Sequence, residues 1–279
     1  MAKVTNEEQE VKKEEYEKMD RALEEMDKAE AAAKVKPKPK QKGTPAFISC
    51  KQSVLMEAVS MMDGLLGEVI LKIDENGLTA ISMDAANVAM YMLDLKPEVF
   101  NEIGGKVKVG VQVKALKGML KRAKADDNVR ITFKNPIELV FASKFNKTFT
   151  LPQIDIQDNK QKLPILKHNA IFKIKTELLC EAIEDSGQVA DTLTFEVKDN
   201  KLSISAKGDM SGYEGEITEL KDVPNCKSKF AREYMAKVIK KVATDVTVKM
   251  STDYPILFEY DLGNESKMTL LVAPRIETE

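Results

Sequence analysis

From Phe47 onward, apolar residues alternate with polar ones over runs of five to eight positions, the period of a half-buried strand. Such runs lie at residues 46–50, 69–73, 78–82 and 88–95, and again at 170–175, 192–198, 201–206 and 215–220. Between them the period changes. Residues 53–62, 113–124, 177–186 and 231–243 carry apolar positions three and four apart, which predicts amphipathic helices. Asp74-Glu75-Asn76-Gly77 and Lys198-Asp199-Asn200-Lys201 supply turn residues, and closing strands flank Pro136 and Pro255. Gly104-Gly105, followed by Lys106 and another alternating run, reads as a turn entering a strand. The pattern is an α+β fold in which two helices cover one face of a sheet.

The pattern occurs twice. Leu55-Met56-Glu57-Ala58-Val59 recurs as Leu179-Cys180-Glu181-Ala182-Ile183, and Asn76-Gly77-Leu78-Thr79-Ala80 as Asn200-Lys201-Leu202-Ser203-Ile204, both displaced by 124 positions. Residues 129–133 return as 246–250 at a shift of 117, and Asn135-Pro136-Ile137 as Tyr254-Pro255-Ile256 at a shift of 119. Four matches in preserved order predict two domains of one architecture, residues 46–150 and 165–279. The connector, 151–164, has proline near both ends and a polar middle, and Ile154 and Ile156 share one side of it if it is extended.

Residues 1–45 stand apart. The stretch 5–33 lacks Gly and Pro and reads as a charged, solvated helix with a short apolar stripe of Tyr16, Met19, Leu23 and Met26. Residues 33–45 alternate Lys with Pro and hold five lysines (Lys34, Lys36, Lys38, Lys40 and Lys42), which predicts an extended basic linker.

Charge changes this picture through its placement. Lys and Arg total 43 against 45 Asp and Glu, a net charge of −2, so the chain is no simple polycation. Any contact with nucleic acid needs charge segregated onto one face. No run of about 18 apolar residues predicts a membrane span, and the charged N-terminus does not read as a secretory signal. Cys50, Cys180 and Cys226 lie far apart without a CxxC pair, which fits a reducing cytoplasm and argues against a zinc site. Nucleophile-elbow, phosphate-loop, dinucleotide and zinc-protease motifs are absent, and His168 stands alone. Asp84, Asp126, Asp127 and Asp209 are the carboxylates that could in principle hold Mg²⁺, and a Mg²⁺-dependent nuclease would use the first three, but Asp126-Asp127 reads better as a helix-to-strand turn.

The second helix of each repeat carries an excess of lysine. Lys114, Lys117, Lys121 and Lys124 fall three, four and three apart on one stripe, opposite Leu116, Met119, Leu120 and Ala123. In the later repeat Lys237, Lys240 and Lys241 share one side, away from Tyr234, Val238 and Val242. Such a face follows phosphates without reading bases, because an ammonium is a point charge with no planar fork.

Three stretches carry a resemblance: Ser82-Met83-Asp84-Ala85-Ala86-Asn87-Val88, the segment Met250 to Tyr260 with Tyr254-Pro255-Ile256 at its centre, and Leu271-Val272-Ala273-Pro274-Arg275-Ile276-Glu277. With the duplicated plan and long connector, residues 46–277 resemble an archaeal DNA sliding clamp of the proliferating cell nuclear antigen family. Residues 1–45 have no counterpart in the usual family pattern. The resemblance implies two tandem clamp (processivity-fold) domains in each of three subunits, helices lining a central hole and sheets outside. It implies no catalysis and no cofactor, and a nucleoid-associated place in the cytoplasm. It implies non-specific contact with double-stranded DNA by Lys114, Lys117, Lys121, Lys124, Lys237, Lys240 and Lys241. It further implies a replicative polymerase, a replication factor C-type loader, and flap nuclease and ligase partners that dock interacting-protein-box peptides. That pocket would use Met83, Asn87, Met90, Ile154, Ile156, Pro255, Leu271, Ala273 and Pro274. Subunit contacts would pair the strand at about 146–151 with that at about 212–220 of a neighbour.

One feature departs from the family pattern. The exposed sides of the first helices carry Ser53, Glu57 and Ser60, or Glu177, Glu181 and Glu184, neutral to acidic where the resemblance implies some basic residues. Either DNA contact is confined to the second helices, or the chain belongs to a ring of unlike subunits.

Overall fold

The computed structural model of the chain describes residues 45–143, 145–157, 166–239 and 245–276. The expectations for the charged helix and the Lys/Pro linker, for the middle of the connector, and for Lys240 and Lys241 fall outside these residues. The first repeat runs β1 (Phe47–Lys51), α1 (Gln52–Met62), β2 (Glu68–Asp74), β3 (Gly77–Met83), β4 (Ala89–Leu95), β5 (Glu102–Gly104), β6 (Val107–Gln112), α2 (Val113–Leu120), β7 (Asn128–Thr132), β8 (Ile137–Ala142) and β9 (Lys147–Leu151). The second runs β10 (Ala170–Lys175), α3 (Thr176–Ser186), β11 (Thr192–Lys198), β12 (Lys201–Lys207), β13 (Gly212–Glu219), β14 (Cys226–Ala231), α4 (Arg232–Val238), β15 (Asp245–Met250), β16 (Ile256–Asp261) and β17 (Lys267–Val272).

The strands of each repeat divide between two sheets, where the sequence pattern suggested one. In spatial order, β1-β7-β8-β9 of the first repeat match β10-β15-β16-β17 of the second, and β4-β3-β2-β6 match β13-β12-β11-β14. The sets β10-β15-β16-β17 and β4-β3-β2-β6 meet through an antiparallel β17–β4 pair, with Tyr91 opposite Leu270 and Leu93 opposite Met268. A single eight-stranded sheet therefore ties the repeats together. Among the described residues, the matching edges at the far ends, β9 and β13, have no partner strand.

The helices sit against the inward faces of these sheets. Fully buried Tyr91 donates its hydroxyl to the Ala58 carbonyl of α1 at 3.1 Å, fixing that helix to the shared sheet. Each helix follows its strand directly, and none has a side-chain N-cap. Carbonyls of other segments take the leading N–H groups instead: Asp127 for Gln52, Ala125 for Ser53, Gly67 for Val113 and Asp191 for Arg232.

Two helices are shorter than their apolar spacing predicts. After Leu120, the amides of Arg122 and Ala123 bond to carbonyls three residues back, and the Asp127 carboxylate takes the Lys124 N–H at 2.9 Å. Turn chemistry outcompetes another helical turn there. Of the predicted helix 231–243, the described part is helical over 232–238, and residues 240–243 fall outside the described residues. Ala231 ends β14, and Ile239 is extended (φ −89°, ψ 108°) and buried. Strand β14 escaped the sequence pattern because an inward position, Ser228, is polar; its hydroxyl is satisfied by the Ser251 carbonyl at 2.8 Å.

Candidate nucleic-acid and partner-peptide interfaces

Lys114, Lys121 and Lys124 are exposed along α2 and the turn after it, with Arg122 beside them. Lys117 is different. Its ammonium lies 2.8 Å from the carboxylate of Asp63 at the end of α1, and the two side chains are only 18% and 29% exposed. Its ammonium ties α1 to α2, a contact that the lysine spacing alone does not reveal. In the second repeat Lys237 pairs with Glu233 one turn earlier and lies 5.7 Å from the centre of the Tyr234 ring. Helix α3 exposes Glu177, Glu181, Glu184 and Asp185. The helical side is therefore basic on α2 and acidic on α3.

The outward face of the eight-stranded sheet carries an apolar row. Met83, Met90, Leu271 and Leu257 stand opposite one another across β3, β4, β17 and β16. Met90 and Leu271 are 3% and 8% exposed, yet they point away from the main core, because their neighbours Tyr91 and Leu270 fill it. Ile81 and Met92 form the next pair along β3 and β4. Three pocket residues expected from the sequence, Met83, Met90 and Leu271, thus come together, and Pro255 lies two residues from Leu257 at the end of β16. Leu257, Ile81 and Met92 were missed. The Pro255 carbonyl is 2.8 Å from the Nε2 of His168, so the lone histidine anchors the returning chain.

The connector reaches this face at its other side. Ile154 bridges Gly110 of β6, its N–H bonding the Gly110 carbonyl at 3.0 Å, and the Ile156 side chain lies directly over that glycine. Strand β2 separates β6 from β3, so Ile154 and Ile156 stand about 10 Å from the Met83 row, with Ile70 and Ile81 between. Asn87 is exposed with φ 57°, a turn residue in the left-handed region. Ala273 and Pro274 line a separate cleft of about 630 Å³ with Val88 and the start of α4.

Asp84 organises the turn between β3 and β4. It is 9% exposed, and its carboxylate accepts the N–H groups of Ala86, Val88 and Ala89 and the hydroxyl of Tyr234 on α4, at 2.7–3.1 Å. Burial alone would raise this carboxyl; the four donors outweigh it and hold the group below its ordinary value. These acceptor sites are spent on structure rather than on a metal. Asp126 lies 3.9 Å from Lys51, Asp127 caps Lys124, and no group of three metal-ligating side chains occurs among the described residues. Asp84→Asn turns an acceptor oxygen into a donor facing N–H groups. Denaturant unfolding at neutral pH should show a loss of about 2 kcal/mol. Because the carboxyl is depressed in the fold, its stabilisation is present above the ordinary carboxylate range and lost as pH falls through the lowered value. Wild type and Asp84→Asn should therefore converge in acid; an undiminished gap there would place the stabilisation elsewhere.

Family models for the N-terminal and C-terminal domains of proliferating cell nuclear antigen match residues 49–161 and 162–275. A DNA polymerase sliding clamp from Pyrococcus horikoshii is 30% identical over 226 residues, covering 76% of this chain and 91% of that relative. Among solved structures, A. fulgidus PCNA bound to the C-terminal region of FEN-1 shares the fold at TM-score 0.76 and 22% identity, over 84% of this chain and 100% of that one. The PCNA2-PCNA3 complex from Sulfolobus tokodaii does so at TM-score 0.74 and 19% identity, over 83% and 100%. With both domain models matched in order across the duplicated fold, the chain belongs to the proliferating cell nuclear antigen family of DNA polymerase sliding clamps.

Proposed function

We propose that three copies of this chain join head to tail into a closed ring around duplex DNA, and that the ring holds its partners to DNA by encirclement rather than by catalysis. The observation that carries this reading is the equivalence of the internal joint and the open edges. β17 pairs with β4 inside the chain, while the outer edges of β9 and β13, their counterparts, meet no further strand among the described residues. Matching the repeats through their strand registers puts Phe149 in the place of Leu270 and Tyr213 in the place of Tyr91. Phe149 then faces Tyr213 of the neighbouring copy, as Leu270 faces Tyr91 within the chain.

Charge supports the same joint. Lys147 of β9 donates to the Arg122 carbonyl at 3.0 Å, so the basic end of α2 lies beside the open edge. The Tyr213 hydroxyl is held above its ordinary value by burial and by Asp185 and Glu181, so the acidic face of α3 lies beside the other. Joining the edges brings Lys121 and Arg122 toward Glu181 and Asp185. This gives the acidic helix a role at the joint and favours identical subunits over a ring of unlike chains.

In the ring, Lys114, Lys121 and Lys124, with Lys237, Lys240 and Lys241, face the duplex. Their attraction to phosphate is weak and salt-screened, so the clamp slides without stalling. A replicative polymerase, a flap nuclease and a ligase dock short peptides on the outward apolar face, between the Met83–Leu257 row and the connector, with Ala273 and Pro274 at one end. Adaptable methionines suit one site to several partners. The archaeal relative bound to a FEN-1 segment supports this mode. A replication factor C-type loader, with its own ATP, opens and closes the ring.

Primer extension on a long template tests the reading, with longer products expected when the chain is added. Lys114→Glu with Lys124→Glu should shorten those products at moderate salt without lowering stability. Lys117→Met should do the reverse, costing about 1 kcal/mol in unfolding while leaving product length unchanged. Equal effects from both would remove the distinction between a DNA-facing lysine and a structural one.

A further inference from the structure

The duplication of the fold stops short at one edge. In the first repeat β1 lies between β7 and the three-residue strand β5, whereas its counterpart β10 pairs with β15 alone among the described residues. The cause is length. Eleven residues, 96–106, separate β4 from β6 and leave room for β5, but only six, 220–225, separate β13 from β14. Those six are tied to the turn after β11 instead. Leu220 donates its N–H to the Asn200 carbonyl at 2.7 Å, and Val223 donates to the Asn200 side chain at 3.0 Å. The main-chain groups of β10 that face away from β15 therefore meet no described strand.

What β5 does for β1 defines what β10 lacks. The strands run antiparallel, with Gly104 opposite Phe47 and Glu102 opposite Ser49. The Ser49 carbonyl takes the Asn101 N–H at 2.7 Å, so the main-chain groups of Phe47 and Ser49 face this side. Gly104 makes room for an aromatic ring, since a Cβ there would fall 2.9 Å from the Phe47 side chain. Glu102 pairs with Arg130 of β7, whose guanidinium lies 4.0 Å from the centre of the same ring. Thus β5 covers an apolar side chain and brings a carboxylate to a base. In the second repeat Phe47 becomes Ile171, Ser49 becomes Lys173 and Arg130 becomes Thr247. Ile171 is 54% exposed. The base has moved outward onto the edge strand itself, where Lys173 is exposed and has a threonine, not a carboxylate, opposite it on β15. Isoleucine has no ring that demands glycine across from it, so a side chain fits where Gly104 stands in the first repeat.

We infer that β10 is a docking edge, to which a partner protein adds an extended antiparallel segment with an acidic residue opposite Lys173 and, two positions later, an apolar residue opposite Ile171. Main-chain hydrogen bonds hold such a strand and the alternate side chains select it. Lys173 also turns away segments with a base at that position, because like charges directly opposite are unfavourable. The edge lies two strands beyond Leu257, about 10 Å from the Met83–Leu257 row, and does not depend on the plug reading.

The test titrates the full chain into a labelled, Thr-rich peptide of eight residues that carries Glu and, two residues later, Val at its centre, with affinity read by fluorescence anisotropy. Replacing the Glu by Lys should weaken binding about tenfold, the swing from an attractive to a repulsive cross-strand pair. N-methylation of alternate peptide amides should abolish binding, because it removes the donors that reach β10. Lys173→Glu should invert the preference, so that the Lys peptide binds about tenfold tighter than the Glu peptide. Ile171→Pro removes an N–H from the open side alone and should abolish binding of both peptides. Saturating Glu peptide should slow hydrogen exchange at the Ile171 and Lys173 amides. Circular dichroism reports whether the variants fold, and Lys173→Glu, at an exposed position, keeps the test decisive if Ile171→Pro does not. If no peptide binds, if the preference survives Lys173→Glu, or if those amides exchange as fast with peptide as without it, β10 is no docking edge and Lys173 serves only to keep it unpaired.

Discussion

Tyr213→Asp should convert the assembled ring to monomers and abolish its stimulation of polymerase. The register carried over from the internal joint sets Tyr213 against Phe149 of the next copy, an aromatic cross-strand pair worth about 1 kcal/mol beyond its burial. An aspartate there loses that pair and its apolar contact, and it adds a third acid to Glu181 and Asp185 on the adjoining helix. Desolvating that carboxylate without a partner brings the loss to about 3 kcal/mol per joint, roughly a 150-fold weaker association. Tyr213 sits half-exposed on an edge strand, so the subunit's own fold should survive, as circular dichroism would report. Light scattering on the purified chain gives the mass directly. A charge swap supplies the complement. Glu181→Lys with Asp185→Lys should weaken assembly, and adding Lys121→Glu with Arg122→Glu in the same chain should restore it. A full ring in Tyr213→Asp would mean that the open edges are not the joint.

The duplication was legible because it is written twice in similar residues, and strand alternation assigns faces without knowledge of neighbours. What alternation does not carry is which strand lies next to which. The β17–β4 joint pairs Lys267 with Asp94, far apart in the chain, and nothing local marks it. The same limit explains Lys117. Its spacing put it on the lysine stripe correctly, but the carboxylate that neutralises it, Asp63, stands 54 residues earlier on another helix. Helix ends were misread where the lysine spacing ran on past a stop set by other chemistry, the Asp127 carboxylate after α2 and the buried Ile239 after α4.

The outward apolar row was legible only in part. Met83, Met90 and Leu271 follow from the stretches that carry the family resemblance. Leu257, Ile81 and Met92 do not, because a strand such as Ala89-Met90-Tyr91-Met92-Leu93 has no polar positions to reveal its faces. That absence was itself a signal. In an antiparallel sheet with one solvated face, alternation should be clean, so an unbroken apolar run means that both faces are covered or made to be covered. The residues that were apolar without reason on the core side form the apolar row on the outward face.

Gly110→Val should disable peptide docking without altering any residue that touches the peptide. Gly110 lies on β6 with its missing side chain pointing outward, under the connector. A Cβ there would fall 2.3 Å from the Ile154 carbonyl oxygen and 2.9 Å from the Ile156 side chain. The first of these contacts is with backbone and does not yield by a rotamer change. The connector has to lift, breaking the Ile154 N–H bond to the Gly110 carbonyl. Valine itself suits a strand, so the sheet beneath should be unharmed or slightly stabilised. A plug held between the Met83 row and the connector loses one of its two walls. Removing that share of apolar burial should weaken plug peptides by about 1.5–3 kcal/mol, roughly ten- to a hundredfold. Ile156→Asp should give a similar loss by a different route, a charged wall in the original place, so only Gly110→Val should also speed proteolytic cleavage within the connector. Ring mass should be unchanged in both. If Gly110→Val takes up plug peptides as well as wild type does, the connector is not a wall of the site.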